Sequence, residues 1–203
     1  MKPGITVVIP SIPPRQKMLA RALRSVSAQR RKADAVVVQI DNDKVGAALN
    51  RDRGLAQVET EWVAFLDDDD EFYSHHLEFL YDHAIATNAD LVYPWFDVGS
   101  GGTDPFPQFE GVEWNNDDPH QVPITFLVKT EVAREVEGFS GGWTDSDSTD
   151  KDGNRAGEDW NFILKLIQAG RKIVHLNERT WIWHHHGKNT SGRTDWGMYG
   201  IYS

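Results

Sequence analysis

The sequence contains no cysteine, which excludes a disulfide framework and any thiolate chemistry. No apolar run approaches the roughly 20 residues of a membrane span. The apolar part of "MKPGITVVIPSIPP" is about five residues long, too short for the core of a secretory signal. A cytoplasmic protein is therefore expected. Basic residues are outnumbered: 21 Lys and Arg face 31 Asp and Glu, a net charge of -10. That balance argues against broad, non-specific nucleic-acid binding, although not against a local basic site. Glycine-rich phosphate loops are absent, both G-x-G-x-x-G and the P-loop pattern. A nucleotide bound here would need a metal and basic side chains for its phosphates. What remains is 203 residues, 39% hydrophobic and 26% charged, enough for one globular domain with a real core. Eight tryptophans and eight histidines are many for this length. Such rings serve sugar-handling surfaces as well as cores.

The apolar periodicity alternates. "ITVVIP" (5–10), "AVVVQID" (35–41), "WVAFLD" (62–67) and "DLVYPW" (90–95) read as buried strands. Between them, Met18, Leu19, Ala22, Leu23 and Val26 recur at helical spacing. So do the apolar residues of 44–58. Leu77, Leu80, Tyr81, Ala84 and Ile85 mark a third helix, with Ser74 as its expected cap. Strands alternating with helices predict an α/β fold with a mainly parallel central sheet flanked by helices and right-handed crossovers. Residues 96–121 read as loops with short aromatic runs. "ITFLVK" (124–129) is a further strand, and residues 130–137 form a short helix stopped by Gly138. Residues 140–157 are polar and aperiodic, which predicts a mobile loop, with Gly141 and Gly142 as hinges. A helix follows over 158–170, then strands at "KIVHL" and "RTWIWHHH". The chain shows no internal repeat and no linker, so it reads as a single domain over 1–203.

In "FLDDDDEF" (65–72) an apolar strand runs straight into five consecutive carboxylates. Ligands of open parallel sheets sit beyond the carboxyl ends of the strands. Ser11 to Arg15, Asp41 to Asp43 and Asp67 to Glu71 all occupy such ends. Clustered carboxylates are tolerable when a cation neutralises them, and an all-oxygen set suits Mg²⁺, Mn²⁺ or Ca²⁺. A solvated acidic turn is the plain alternative. "DSDSTDKDGN" (145–154) departs from the EF-hand loop at its first and last ligand positions, Ser148 and Asp159, and reads better as part of the mobile loop. His75 and His76 read as surface residues. Trp143 and Trp160 are candidates for stacking on a sugar or for the core. Lys151, Lys188 and Arg193 read as solvated charges or phosphate contacts.

"ITVVIPSIPPR", "QIDND", "GAALNRDRGLAQVETEWVAFLDDDDEF", "GEDWNFILKLIQAGRKIVHL" and "WHHHGKNTS" occur in an order that resembles family 2 glycosyltransferases of the GT-A fold, over nearly the whole chain. The resemblance implies transfer of a sugar from a nucleotide-sugar donor with inversion at the anomeric carbon, using Mn²⁺ or Mg²⁺. It implies a nucleotide-sugar-binding half over 1–95 and an acceptor and catalytic half over 96–203. Pro10, Ser11 and Arg15 match the loop that contacts the nucleoside. Asp41 matches the residue that reads the base, which points to a UDP-sugar. Arg51 matches the arginine of the family's "ARNxG" segment near the donor, whereas Asn50 and Asp52 of "NRDRG" depart from it. Asp67 and Asp69 match the ends of the Asp-x-Asp motif, with Asp68 between them at the donor. Asp67 is the implied contact to the donor ribose or sugar, and Asp69 the implied metal ligand. Asp159 matches the general base, with Glu158 beside it. His186 matches the late histidine that completes the metal site; His184, two residues away on the same strand face, is the second candidate.

An inverting transfer needs a positioned base for a weakly nucleophilic hydroxyl, and a carboxylate at a helix N-terminus is held ionised by the helix dipole. Two other readings use the same residues: a sugar nucleotidyltransferase, whose Gly-rich basic loop "PSIPPR" does not match, and a non-catalytic nucleotide- or carbohydrate-binding protein. Paired carboxylates also occur in glycoside hydrolases, which leaves the aspartate cluster and late histidines unexplained. The acceptor, whether glycan, protein, lipid carrier or modified base, is not legible, and neither is assembly into a homo-oligomer.

Overall fold

A computed structural model describes residues 1–140 and 157–184. The element order is β1 (Lys2–Ser11), α1 (Gln16–Ser27), β2 (Ala35–Ile40), α2 (Ala47–Leu55), β3 (Thr60–Phe65), β4 (Glu71–Phe72), α3 (His76–Thr87), β5 (Leu91–Val98), β6 (Leu127–Lys129), α4 (Thr130–Glu135), α5 (Glu158–Gln168) and β7 (Ile173–Trp183). They build one seven-stranded sheet in the order β2-β1-β3-β6-β5-β7-β4. β1 pairs in parallel with β2 and β3, and β5 with β7, while β6 lies antiparallel between β3 and β5 and β4 antiparallel to β7. Five strands therefore share one direction. Of these, β1, β3 and β5 carry the continuous apolar burial of strands covered on both faces, whereas β2, at the sheet edge, is partly exposed and β7 is exposed in its middle.

The two faces are covered by different helices. Val8, Val63, Phe65, Leu91 and Tyr93 pack against α2, α4 and α5 through Leu55, Val132, Phe162 and Ile163. Ile5, Val7, Ile9, Ala64 and Val92 pack against α1 and α3 through Ala22, Val26, Leu77 and Leu80. The alternation of strand residues between these sets is the period of two expected of a sheet. Among the described residues no helix is long and apolar enough to cross a membrane.

Several local expectations change. The strand expected over 124–129 shortens to β6, because Ile124, Thr125 and Phe126 are buried as coil. The two strand-like runs near the end are one strand, β7, bent where its register with Pro94, Trp95 and Phe96 slips. β4 is two residues long and has no sequence signal of its own. Ser74 does not cap α3; the helix begins at His76 with no side-chain cap. His76 is wholly buried rather than on the surface. Its Nδ1 lies 2.7 Å from Thr180 Oγ1, and its ring stacks on Phe72 at 3.8 Å. Trp160 belongs to the core. The hinge glycines Gly141 and Gly142, Trp143, the 145–154 stretch with Lys151, and His185, His186, Lys188 and Arg193 lie outside the described residues.

Candidate active site

Strands β1, β2 and β3 end on the same edge of the sheet, and the polar residues that follow them meet there. Pro10 and Ser11 close β1 and are buried. Asp41 sits just past β2, linked back to β1 by its N–H, which donates to Ser11 O at 2.8 Å. Its carboxylate accepts the N–H groups of Val45 and Gly46, both at 3.0 Å. Asp41 thus shapes the turn into α2. Past β3, the chain drops four aspartates onto this edge, and Asp68, Asp69 and Asp70 are all buried.

Buried carboxylates need partners, and the neighbouring elements supply them. Asp68 accepts from Ser11 Oγ at 2.6 Å and Arg15 at 2.9 Å. Arg15 also reaches Asp69 Oδ2 at 3.1 Å. Arg21 of α1 donates to the Asp69 main-chain oxygen and lies 3.3 Å from Glu71. Arg51 of α2 donates to Asp67 Oδ1 at 2.7 Å and to Glu158. Four of the five consecutive carboxylates thus pair with three guanidiniums, and Asp70 accepts instead from the His184 N–H. Burial, with Asp69 and Asp67 close by, holds the Asp70 carboxyl well above the usual range, and burial also raises Asp68. Oxygens of Asp67, Asp69 and Asp70 lie within 4.8 Å of one another. The buried Asp70 and the all-oxygen donor set fit a divalent cation such as Mg²⁺ or Mn²⁺.

His184 follows β7 to the rim of this cluster. Its N–H donates to Asp70 Oδ1 at 2.8 Å, and its Nε2 lies 2.7 Å from Glu71 Oε1. It is thus close to the three-aspartate set and bound to a neighbouring carboxylate. His186 lies outside the described residues.

Glu158 and Asp159 open α5. Asp159 Oδ1 accepts the N–H of Trp160 at 2.8 Å. Its carboxyl is pushed up to about 6 by burial and by Glu158, against the opposing pull of Arg51. The helix dipole favours the ionised form, and burial with Glu158 pushes the other way. Arg51, 5% exposed, joins the aspartate cluster to this second carboxylate pair, and against the cost of burial Asp67 and Glu158 hold its pKa above the ordinary arginine value.

The departures from "ARNxG" also have partners. Asn50 donates to Gln39 O at 3.0 Å. Asp52 accepts the N–H groups of Phe139 and Ser140 at 2.7 and 2.8 Å. Arg21, Asp70 and Glu71 were not singled out from sequence. For Arg21 the only signal was a basic residue on the otherwise apolar stripe side of α1; for Asp70 it was membership of the aspartate run.

A sheet of this order, with aspartates on its carboxyl edge facing a carboxylate pair at a helix start, is the GT-A architecture of nucleotide-diphospho-sugar transferases. The family model of glycosyl transferase family 2 matches residues 28–148, and the chain belongs to that family. The crystal structure of S. aureus TarS 1-349 in complex with UDP-GlcNAc superposes with a TM-score of 0.70 at 16% identity, over 92% of this chain and 59% of that one. The same protein in complex with UDP gives 0.67 at 14% identity, over 93% and 62%. At these identities the likeness is one of fold. A cholesterol galactosyltransferase of Borreliella burgdorferi is 40% identical over 54 residues, which are 27% of this chain and 15% of that protein. The chain thus spans less than two thirds of the length of these relatives.

Proposed function

We propose that the protein transfers a sugar from a UDP-sugar to an acceptor hydroxyl with inversion, with Asp159 as general base and with a divalent cation. The observation that carries this reading is the Arg51 bridge, which sets a carboxylate pair at the start of α5 against the aspartates at the end of β3. The reaction is an in-line displacement. The acceptor oxygen bonds to the anomeric carbon, the bond from that carbon to the diphosphate oxygen breaks, and the acceptor proton passes to Asp159. One Asp159 oxygen is committed to the Trp160 N–H, leaving the other to receive the proton. A carboxyl near 6 is ionised at neutral pH yet basic enough to assist a hydroxyl. Asp69, with Asp67 and Asp70, would hold the cation; when bound, it offsets charge developing on the leaving diphosphate. Ser11, Arg15 and Asp68 form a preset unit at the nucleoside end, and Asp41 fixes the β2–α2 turn there. The UDP complexes of TarS and the galactosyltransferase likeness support a UDP-sugar over other nucleotides.

The test is calorimetric titration with UDP, GDP and TDP, with and without Mn²⁺. Metal-dependent binding of UDP is expected. Asp159→Asn should keep that binding and lose turnover by about a hundredfold or more. Normal turnover in that variant would remove Asp159 from the role. UDP binding that never leads to turnover of any UDP-sugar would favour the non-catalytic binder.

A further inference from the structure

The side chain next to Arg51 faces a different task. Asp52 places both carboxylate oxygens on the chain just past α4: Oδ1 on the Phe139 N–H, and Oδ2 on the Ser140 N–H and hydroxyl. The approach is close enough to exclude a side chain at residue 138. Gly138 has φ +60, and a Cβ there would meet Asp52 Oδ1 at 2.1 Å. From the other side, Lys165 donates to Gly138 O, and Asn161 to Phe139 O at 3.3 Å. The backbone at 138–140 is therefore clamped between α2 and α5.

What the clamp fixes is the Phe139 ring, which is wholly buried. It stacks on Phe162 at 4.6 Å and meets Phe65 edge-on at 4.9 Å. The Arg51 guanidinium carbon lies 5.6 Å from its centroid. Phe162 is one helical turn past Glu158, and Phe65 is two residues before Asp67. One ring thus touches the guanidinium and both elements that carry its carboxylate partners.

We infer that Asp52 is a positioning residue: by pinning Phe139 under Arg51 it fixes the distance between the donor-side carboxylate Asp67 and the catalytic pair at the start of α5. This rests on the transferase reading for its kinetic consequence but not for its geometry. Misplacing a reacting group by about 1 Å can cost on the order of a hundredfold in rate. Asp52 sits away from the nucleotide end of the site, so donor binding should survive its loss.

Two measurements test it. The first uses Asp52→Ala and Asp52→Asn with UDP-GlcNAc and UDP-galactose as probes, well below each variant's unfolding temperature. Expected are a fall in kcat of about tenfold or more for the alanine variant, partial rescue by asparagine, which keeps one acceptor oxygen, and an unchanged UDP affinity. An unchanged kcat with only a lower Tm would overturn the inference, making Asp52 a structural clasp. The second needs no activity: a double-mutant cycle on unfolding stability between Asp52→Ala and Glu158→Gln. Non-additive losses are expected, because the two act through one network. Additive losses overturn the inference even if the wild type is an active transferase. Non-additivity in a protein that turns over no donor would sustain the geometry and sink the transferase reading.

Discussion

At the scale of single residues, the site is organised by one buried guanidinium shared between two carboxylates. Removing Arg51 leaves Asp67 and Glu158 facing each other without a cation. Arg51→Met should destabilise the protein by about 2 kcal/mol, the order of a charged hydrogen bond lost in a partly buried setting, measured by urea unfolding. It should also move the pH dependence. As the proposed base, Asp159 would act in its ionised form, so kcat/KM should fall as pH drops through about 6 in the wild type. Arg51 is the group that opposes the rise of that carboxyl, so its loss should shift the acid limb to higher pH. A limb that stays in place would mean that Arg51 does not tune the base. Arg51→Lys should rescue little, since one ammonium cannot reproduce the two-pronged contact. Part of this was legible in the sequence: Asp67 stands at the end of an apolar strand, where a sheet presents its ligands, whereas Asp159, in the first turn of a helix, was identified by the family resemblance. The bridge itself was not. Arg51 is 16 residues from Asp67 and 107 from Glu158, and no local pattern says which carboxylates a given arginine will meet.

At the scale of elements, the helices and most of the strands followed from periodicity, while β4 did not and β7 was read as two runs. β4 exists because β7 bends past it, and its two residues carry too little pattern to be read alone. The same packing explains His76. A histidine opening a helix after an acidic run reads as solvent-facing. Here β4 and β7 close over it, leaving Nδ1 on Thr180 and the ring on Phe72. Burial lowers it to about 3. Its folded value therefore lies below the unfolded value near 6.5. The stability that the neutral ring contributes is fully present above pH 6.5 and is lost as pH falls from there toward 3. Over that window the loss should approach roughly 4 kcal/mol. His76→Phe keeps the stack on Phe72 but cannot titrate. Its unfolding free energy should be flatter by about 1.4 kcal/mol per pH unit between pH 6 and 4. Equal slopes in the two proteins would mean that His76 is protonated in the native state.

For the whole molecule, the sheet places its acidic debt where a ligand can settle it. Five strands run one way and leave their carboxyl ends on one edge, and the aspartate run lands on that edge between α1 and α2. That much was readable from the alternation of elements; the antiparallel insertion of β6 was not, because three residues leave direction undetermined. The consequence concerns stability. Asp70 has a folded pKa raised above its unfolded value. What its neutral form contributes is present below the unfolded value and lost as pH rises through the folded value, so ionising Asp70 opposes folding. A divalent cation bound by Asp67, Asp69 and Asp70 reverses that sign. Mn²⁺ at about a hundred times its dissociation constant should add about 2.7 kcal/mol, which for a chain of this size is a rise in Tm of about 5–10 °C. Asp70→Asn removes the unfavourable charge while keeping the shape. It should leave the metal-free protein at least as stable as the wild type and abolish most of the Mn²⁺-induced rise. Asp69→Asn should also lose the rise. Thermal unfolding with Mn²⁺, with Mg²⁺ and with a chelator decides it, first without nucleotide and then with UDP. If neither cation moves Tm in either condition, Asp67, Asp69 and Asp70 are not a cation site, and the donor phosphates must be met by basic side chains instead.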